Sequence, residues 1–298
     1  MRPPDLARLV ALGAMWGGSY LFMRVAVPHL GPAWMIELRV LIAGLMLLVF
    51  MHAAGRISDW RKHWRPWLFI AVVGTAVPFM LIAEAVRTID ASTAAILNAL
   101  VPLFTTLIAA AWIQDRITPA KAAGILLSIA GTAVLVGWTP QPMSAKELLA
   151  ASMSVGATIL YGVNIVFSRV HLREATPAAT SAYSLLLAAL VLAPFMPLDR
   201  DLESAPWSAW AALLGLAVVS TTVAFIYYYR LIADIGPVKA STVTLLVPVF
   251  GMIWGVAFLG EPLTPGRVVG CGIILLGCAL ILGLVRLSPA AATTPRQG

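Results

Sequence analysis

The chain has 298 residues, 60% hydrophobic and only 11% charged, with a mean hydropathy of +0.92 and a formal net charge of +7. A soluble domain carries roughly a quarter charged residues, so this composition excludes a water-soluble globule and indicates an integral membrane protein. The positive charges form no long, aromatic-interleaved basic block of the kind that binds nucleic acid, and no nucleic-acid partner is expected.

A membrane-crossing helix needs about 20 mostly apolar residues. Ten such spans are expected, over residues 7–28, 32–54, 66–86, 91–113, 118–138, 145–168, 176–196, 207–231, 237–259 and 265–286. Arg2 and Arg8 ahead of an apolar run resemble a signal peptide, but no small-residue cleavage site follows and Trp16-Gly17-Gly18-Ser19-Tyr20 interrupts the run. The first span is therefore expected to be retained. Glu37 and Arg39 open the second span, and Thr75, Phe79 and Glu84 mark the third. The fourth carries Asn98 and Pro102, and the fifth a stripe of Gly124, Gly131 and Gly137. Tyr161 and Asn164 sit in the sixth span; Ser220, Thr221, Thr222, Phe225 and Tyr227 to Tyr229 in the eighth; Thr244 and Pro248 in the ninth. Cys271 and Cys278 in the tenth lie about 10 Å apart along a helix, too far for a disulfide, and read as small packing residues. Connections are short, which leaves no room for a soluble domain.

Lysine and arginine counts set orientation. Arg56, Arg61, Lys62 and Arg65, with the termini and every second loop, place fourteen basic residues on one side and six on the other. Both termini, with Arg286 and Arg296, are then cytoplasmic, and the loop with Asp199, Arg200, Asp201 and Glu203 lies outside. Tryptophans support two interfacial belts, with Trp60, Trp64, Trp67 and Trp112 inside and Trp34, Trp138, Trp207 and Trp210 outside.

The second half repeats the first. Residues 94–137 align without a gap to residues 240–283, a shift of 146, with 12 of 44 positions identical. Leu100-Val101-Pro102 falls on Leu246-Val247-Pro248, and Thr118-Pro119 on Thr264-Pro265. A shift of 145 brings Trp16 to Arg24 onto Tyr161 to Arg169. Five spans per copy is an odd number, so the two copies insert in opposite orientations, as in many secondary transporters. The fold class expected is an all-α membrane protein of ten transmembrane helices in two inverted five-helix repeats. These cover residues 1–139 and 140–298, with a short disordered tail from about residue 288.

Trp16-Gly17-Gly18-Ser19 with the later Arg24, the Ala/Ser-rich entry to Leu100-Val101-Pro102-Leu103-Phe104, and the Asp115/Glu261 turns before Thr-Pro are similar to the EamA-type branch of the drug/metabolite transporter superfamily. The resemblance covers nearly the whole chain. It implies an inner-membrane exporter of small metabolites, and the length and aromatic interior point within the branch to the aromatic amino-acid exporter subgroup. Nucleosides, vitamins and cationic drugs are the alternative cargoes.

Polar side chains at mid-span are costly in hydrocarbon and mark candidate sites. The expected cavity lining is Trp16, Ser19, Tyr20, Phe79, Asn98, Pro102, Tyr161, Asn164, Thr221, Phe225, Thr244 and Pro248. Pro102 and Pro248 should kink their helices at matching places in the two halves, the best sequence pointer to a transporter's site. Arg24, Glu37, Arg39 and Glu84 are candidates for an outer gate, for holding the substrate's carboxylate and amine, or, at Glu37 and Glu84, for proton coupling, set against snorkelling and helix-end compensation. For single hydroxyls the plain alternative is a bond back to their own helix. Gly13/Gly17, Gly251/Gly255 and Gly266/Gly270 should serve helix packing; a monomer is favoured, with a dimer as the alternative. His29, His52, His63 and His171 fall at helix ends, and neither a His-Glu-x-x-His motif nor a phosphate-binding loop occurs. Catalytic residues, metal and cofactors are therefore not expected. An intramembrane enzyme and a passive channel are the competing classes.

Overall fold

The computed structural model describes residues 2–55, 60–138, 142–197 and 202–285, with the side chains of residues 237 and 238 left aside. Among them the structure is wholly helical. The helices are α1 (Pro3–Leu30), α2 (Pro32–Ala53), α3 (Trp60–Ala85), α4 (Ala91–Ile113), α5 (Pro119–Gly137), α6 (Ala145–His171), α7 (Pro177–Phe195) and α8 (Trp207–Ile235). A short turn, Pro237–Ala240, leads into α9 (Ser241–Leu259), and α10 is Pro265–Ile281. The first nine are long and apolar enough to cross a membrane, and α10 is a shorter apolar helix. Apolar side chains such as Leu190 (70% exposed) and Leu126 (68%) cover the outside, a surface suited to lipid and not to water. The expected third span began at residue 66; the helix starts at Trp60, because the basic Trp60–Arg65 turn continues it past the apolar core. The basic and acidic residues Arg56, Asp199, Arg200, Asp201, Arg286 and Arg296, and the tail from about residue 288, lie outside the described residues.

The repeated Thr-Pro pair has a local cause. Thr118 and Thr264 are N-caps, each accepting the backbone N–H three residues on at 3.3 Å, and each proline takes the first helical position, where its missing N–H costs nothing. The turns before them also match. Asp115 N donates to Ala109 O and Glu261 N to Gly255 O, both at 3.1 Å, around left-handed caps at Gln114 (φ 56°) and Gly260 (φ 64°). Glycine accepts that backbone freely; Gln114 holds it against a steric penalty.

Helices α5 and α10 form the most extensive pair. A methyl group on Gly124 would stand 2.5 Å from Gly277 O, and one on Gly131 2.8 Å from Ile274 N, so the backbones touch. Gly17 meets Phe250 and Gly251 of α9 in the same way. Small-residue stripes thus bring the two halves of the chain together, as expected for packing in lipid. Gly137, read as part of the stripe, faces nothing within 4 Å. Cys271 and Cys278 are free and buried, and the Cys278 thiol contacts Ala99 O at 3.0 Å.

Contacts between helix ends sort into two faces. One carries Arg8 with Asp234 (2.5 Å) and Asp115 with Lys121 (3.5 Å) and Arg169 (3.8 Å). The other carries Trp34 donating to Pro197 O, Arg24 donating to Val86 O and Ile89 O, and Asp90 paired with Arg267. Trp60, Trp64, Trp112, Trp138 and Trp207 are exposed near helix ends. Trp67 departs from the expected belt. Its side chain is fully buried, stacked on Tyr183 (centroids 4.5 Å apart) and donating to Thr180 Oγ1, because it lies on the side of α3 that packs against α7.

Candidate functional site

Four helices lose their regular ladder, three near the middle and α9 at its start. In α3, residues Ile70–Ala76 are π-helical, and in α8 residues Gly215–Val223 are. The repeat shift of 146 carries the first of these onto the second. In α4, Ala99 and Leu100 form a turn between Asn98 and Val101. A 3₁₀ segment, Ser241–Leu245, occupies the matching stretch of α9. Pro102 and Pro248 follow these breaks and cannot donate to the carbonyls of Asn98 and Thr244 four residues back. Wider or broken turns push side chains off the regular spacing, and π segments recur where a helix must serve a site.

These irregular segments surround a cavity of about 400 Å³, within the range of small-molecule sites. Its walls come from α1, α2, α3, α4, α6, α7, α8 and α9, while α5 and α10 contribute nothing. Trp16 lies on one wall, its ring 5.2 Å from Tyr228 and 6.2 Å, edge on, from Phe225. Phe79 and Tyr161 make a second edge-on pair at 6.5 Å. Tyr20 and Ser19 are buried beside them. Polar groups are spread between the rings. Asn98 has a buried carbonyl oxygen without a partner, and Asn164 accepts from Ser168 at 3.4 Å.

Ten of the twelve expected lining residues meet at this cavity: Trp16, Ser19, Tyr20, Phe79, Asn98, Tyr161, Asn164, Thr221, Phe225 and Thr244. Pro102 and Pro248 do not line it; both are buried, because the broken turns just before them shift them off the face that carries Asn98 and Thr244. The Thr244 hydroxyl bonds back to Ser241 O at 2.8 Å, the ordinary helix bond. Tyr228 is the one of the three consecutive tyrosines on the cavity; Tyr227 packs near Leu9 and Leu12. All three tyrosines are half-buried.

The four charged candidates separate. Arg24 closes the carbonyl end of α3 through Val86 and Ile89. Glu84 is paired with Arg87 at 2.8 Å on an exposed turn. Glu37 is buried, with one carboxylate oxygen unpartnered, and lies off the cavity. Arg39 is buried and lines the cavity: its Nε donates to Thr221 Oγ1 at 3.1 Å, and its guanidinium carbon lies 4.0 Å from the centre of the Phe79 ring. Sequence reading missed the wall supplied by α7, with Thr180, Ser181 and Ser184. Their spacing of one and four residues on an apolar helix was the available signal. Among the described residues no cluster of His, Cys, Asp or Glu could hold a metal.

Comparison with known proteins gives a consistent answer. A model of the EamA-like transporter family matches residues 6–137 and again 148–283. An uncharacterized transporter of Archaeoglobus fulgidus is 24% identical over 90% of this chain and 94% of its own. A probable terminal-alkyne amino-acid exporter of Streptantibioticus cattleyicolor is 26% identical over 92% and 91%. The uncharacterized inner membrane transporter YedA of Escherichia coli is 25% identical over 93% and 90%. A solved crystal structure, 21% identical, overlays with a TM-score of 0.66 over 94% of this chain and 96% of the other, which establishes likeness of fold.

Proposed function

Since this chain belongs to the EamA-like transporter family, and is thus a multi-pass membrane transporter, we propose that it exports small metabolites across the inner membrane, most favourably amino acids with aromatic side chains. The cavity carries this reading: paired aromatic rings offer faces and edges to an apolar side chain, while amides and hydroxyls meet its polar end. Trp16, Ser19, Tyr20, Phe79, Asn98, Tyr161, Asn164, Thr221, Phe225 and Thr244 contact the cargo, and Pro102 and Pro248 shape the broken helices behind it. A relative named as an amino-acid exporter and another named as an inner membrane transporter support the cargo class and the location.

The transport cycle is alternating access by two inverted five-helix repeats, residues 1–139 and 140–298, with both termini in the cytoplasm. The double family match supports the division, and the basic loops support the orientation. Matching π segments and broken helices in α3/α8 and α4/α9 lie beside the cavity, where rocking of one half against the other needs bending. The chain acts as a monomer of the aromatic amino-acid exporter subgroup. Arg24 stabilises the outer end, and Glu37 is the carboxylate suited to proton coupling, since Glu84 is already paired on an exposed turn.

Counterflow of labelled phenylalanine into proteoliposomes loaded with unlabelled phenylalanine tests the reading. Saturable accumulation is expected. Linear, non-saturating flux would indicate a channel and overturn it.

A further inference from the structure

Arg39 is the eighth residue of α2, only 6% exposed, and the sole charged one among the described residues that line the cavity. A guanidinium stays protonated at any physiological pH and carries five N–H donors in a rigid fork. One donor is used on Thr221 Oγ1. Thr221 is itself held by donating to Leu216 O at 2.7 Å across the wide turn of the α8 π segment, which fixes the oxygen facing Arg39. A terminal nitrogen reaches only the Met23 sulfur, at 4.0 Å, and the Phe79 ring supplies a cation–π contact. None of the ion pairs among the described residues includes Arg39. The nearest carboxylate in sequence, Glu37, is two residues away, about 200° around the helix, and does not line the cavity.

A cation taken out of water without a counter-charge is costly, and breaking or forming its one pairing decides a large free energy. Here the fork is oriented by Thr221 and Phe79, faces a small-molecule cavity, and has donors left over. We propose that the cavity is selective for organic anions, specifically a carboxylate on a flat apolar body, and that Arg39 binds the carboxylate. The inference rests on the transporter reading of this cavity and narrows its cargo. The carboxylate is the required group, and an α-ammonium is dispensable, because no Asp or Glu among the described residues lines the cavity to receive it. Ammonium compounds that lack a carboxylate meet Arg39 as like charges and are rejected.

The test is equilibrium binding of three probes to the purified full-length protein by titration calorimetry: 3-phenylpropanoate, phenylalanine and 2-phenylethylamine. The first two should bind, and the amine at least about tenfold more weakly, the worth of one charge-assisted hydrogen bond. Arg39→Gln should abolish that preference, and Arg39→Lys should keep part of it, since charge remains while the fork is lost. Equal binding of the amine and 3-phenylpropanoate to the unmodified protein overturns the proposal without recourse to any variant. A preference unchanged in Arg39→Gln overturns it too. Binding of 3-phenylpropanoate without phenylalanine counterflow supports the anion site and removes the amino-acid reading. Counterflow of phenylalanine together with indifference to the carboxylate does the reverse.

Discussion

The carboxylate of Glu261, in the turn after α9, accepts both the backbone N–H and the hydroxyl of Ser92, 169 residues earlier at the start of α4. The same carboxylate accepts the N–H of Ala91 at 2.7 Å. Negative charge is thereby set on the open donors of a helix N-terminus, where it is favoured. One turn from the second half of the chain thus caps a helix of the first half. Glu261→Ala leaves two buried N–H groups without acceptors, a loss of roughly 1–3 kcal/mol each at most. Its melting temperature in detergent should fall well below that of Ser92→Ala, which removes only a hydroxyl. Equal melting temperatures for the two variants would refute the capping role.

Trp16→Ala and Tyr161→Ala remove rings from two separate aromatic pairs that line the cavity. Each should lower phenylalanine efflux by about tenfold or more, as expected for loss of an aromatic contact with its buried area, while folded protein is recovered in normal amount. Efflux at the unmodified level in both variants would take these residues out of the site.

Gly74 sits in the π segment of α3, and a methyl group there would stand 2.5 Å from the Asn164 side-chain carbon. Gly74→Ala should therefore push Asn164 across the cavity and raise the substrate concentration needed for half-maximal counterflow. Gly272→Ala, where nothing lies within 4 Å, is the control. Identical saturation curves for the two would show that Asn164 is not held in place by this contact.

A methyl group on Gly131 would press on Ile274 and Gly270 across the α5–α10 seam, whereas one on Gly137 would meet none of the described residues within 4 Å. Gly131→Val should destabilise the protein by about 1–3 kcal/mol through overpacking. Gly137→Ala should leave thermal stability unchanged or slightly higher, since alanine favours the helix. Stability assayed by heating in detergent distinguishes them, and a reversed order would contradict the packing described.

Glu37→Gln and Glu84→Gln separate the two carboxylates read as coupling candidates. With Glu37 buried and Glu84 paired to Arg87 at the surface, only the first substitution should abolish acceleration of transport by a pH gradient. Exchange at equal pH should persist in both. Gradient-driven uptake that survives Glu37→Gln would exclude it from coupling.

Much of the site was legible because polar residues stand out in an apolar span. Asn98, Asn164 and Thr221 needed only their chemistry and their depth to be singled out, and Trp16 with Tyr161 needed the internal repeat. The direction each residue faces was not legible. Arg39 reads as one of several helix-end charges, open to a gate or carboxylate contact as well as to snorkelling, and only the fold singles it out by turning it inward onto Thr221 and Phe79. Trp67 reads as an interfacial anchor, yet it stacks on Tyr183. Pro102 and Pro248 were placed correctly as helix breakers but stand behind the cavity wall.

Sequence by itself determined the class of the molecule, its apolar spans, the repeat that relates its halves, and the recurring Thr-Pro turns, because these depend on composition, length and local backbone chemistry. Only the tertiary structure decided which face of each helix meets the cavity, which charge lies inside it, and that Glu261 closes on Ser92. The reason is physical. A soluble helix shows its inner face by an apolar stripe, but a helix in lipid is apolar on every side. Packing against its neighbouring helices then chooses the face, and π turns in α3 and α8 shift it again.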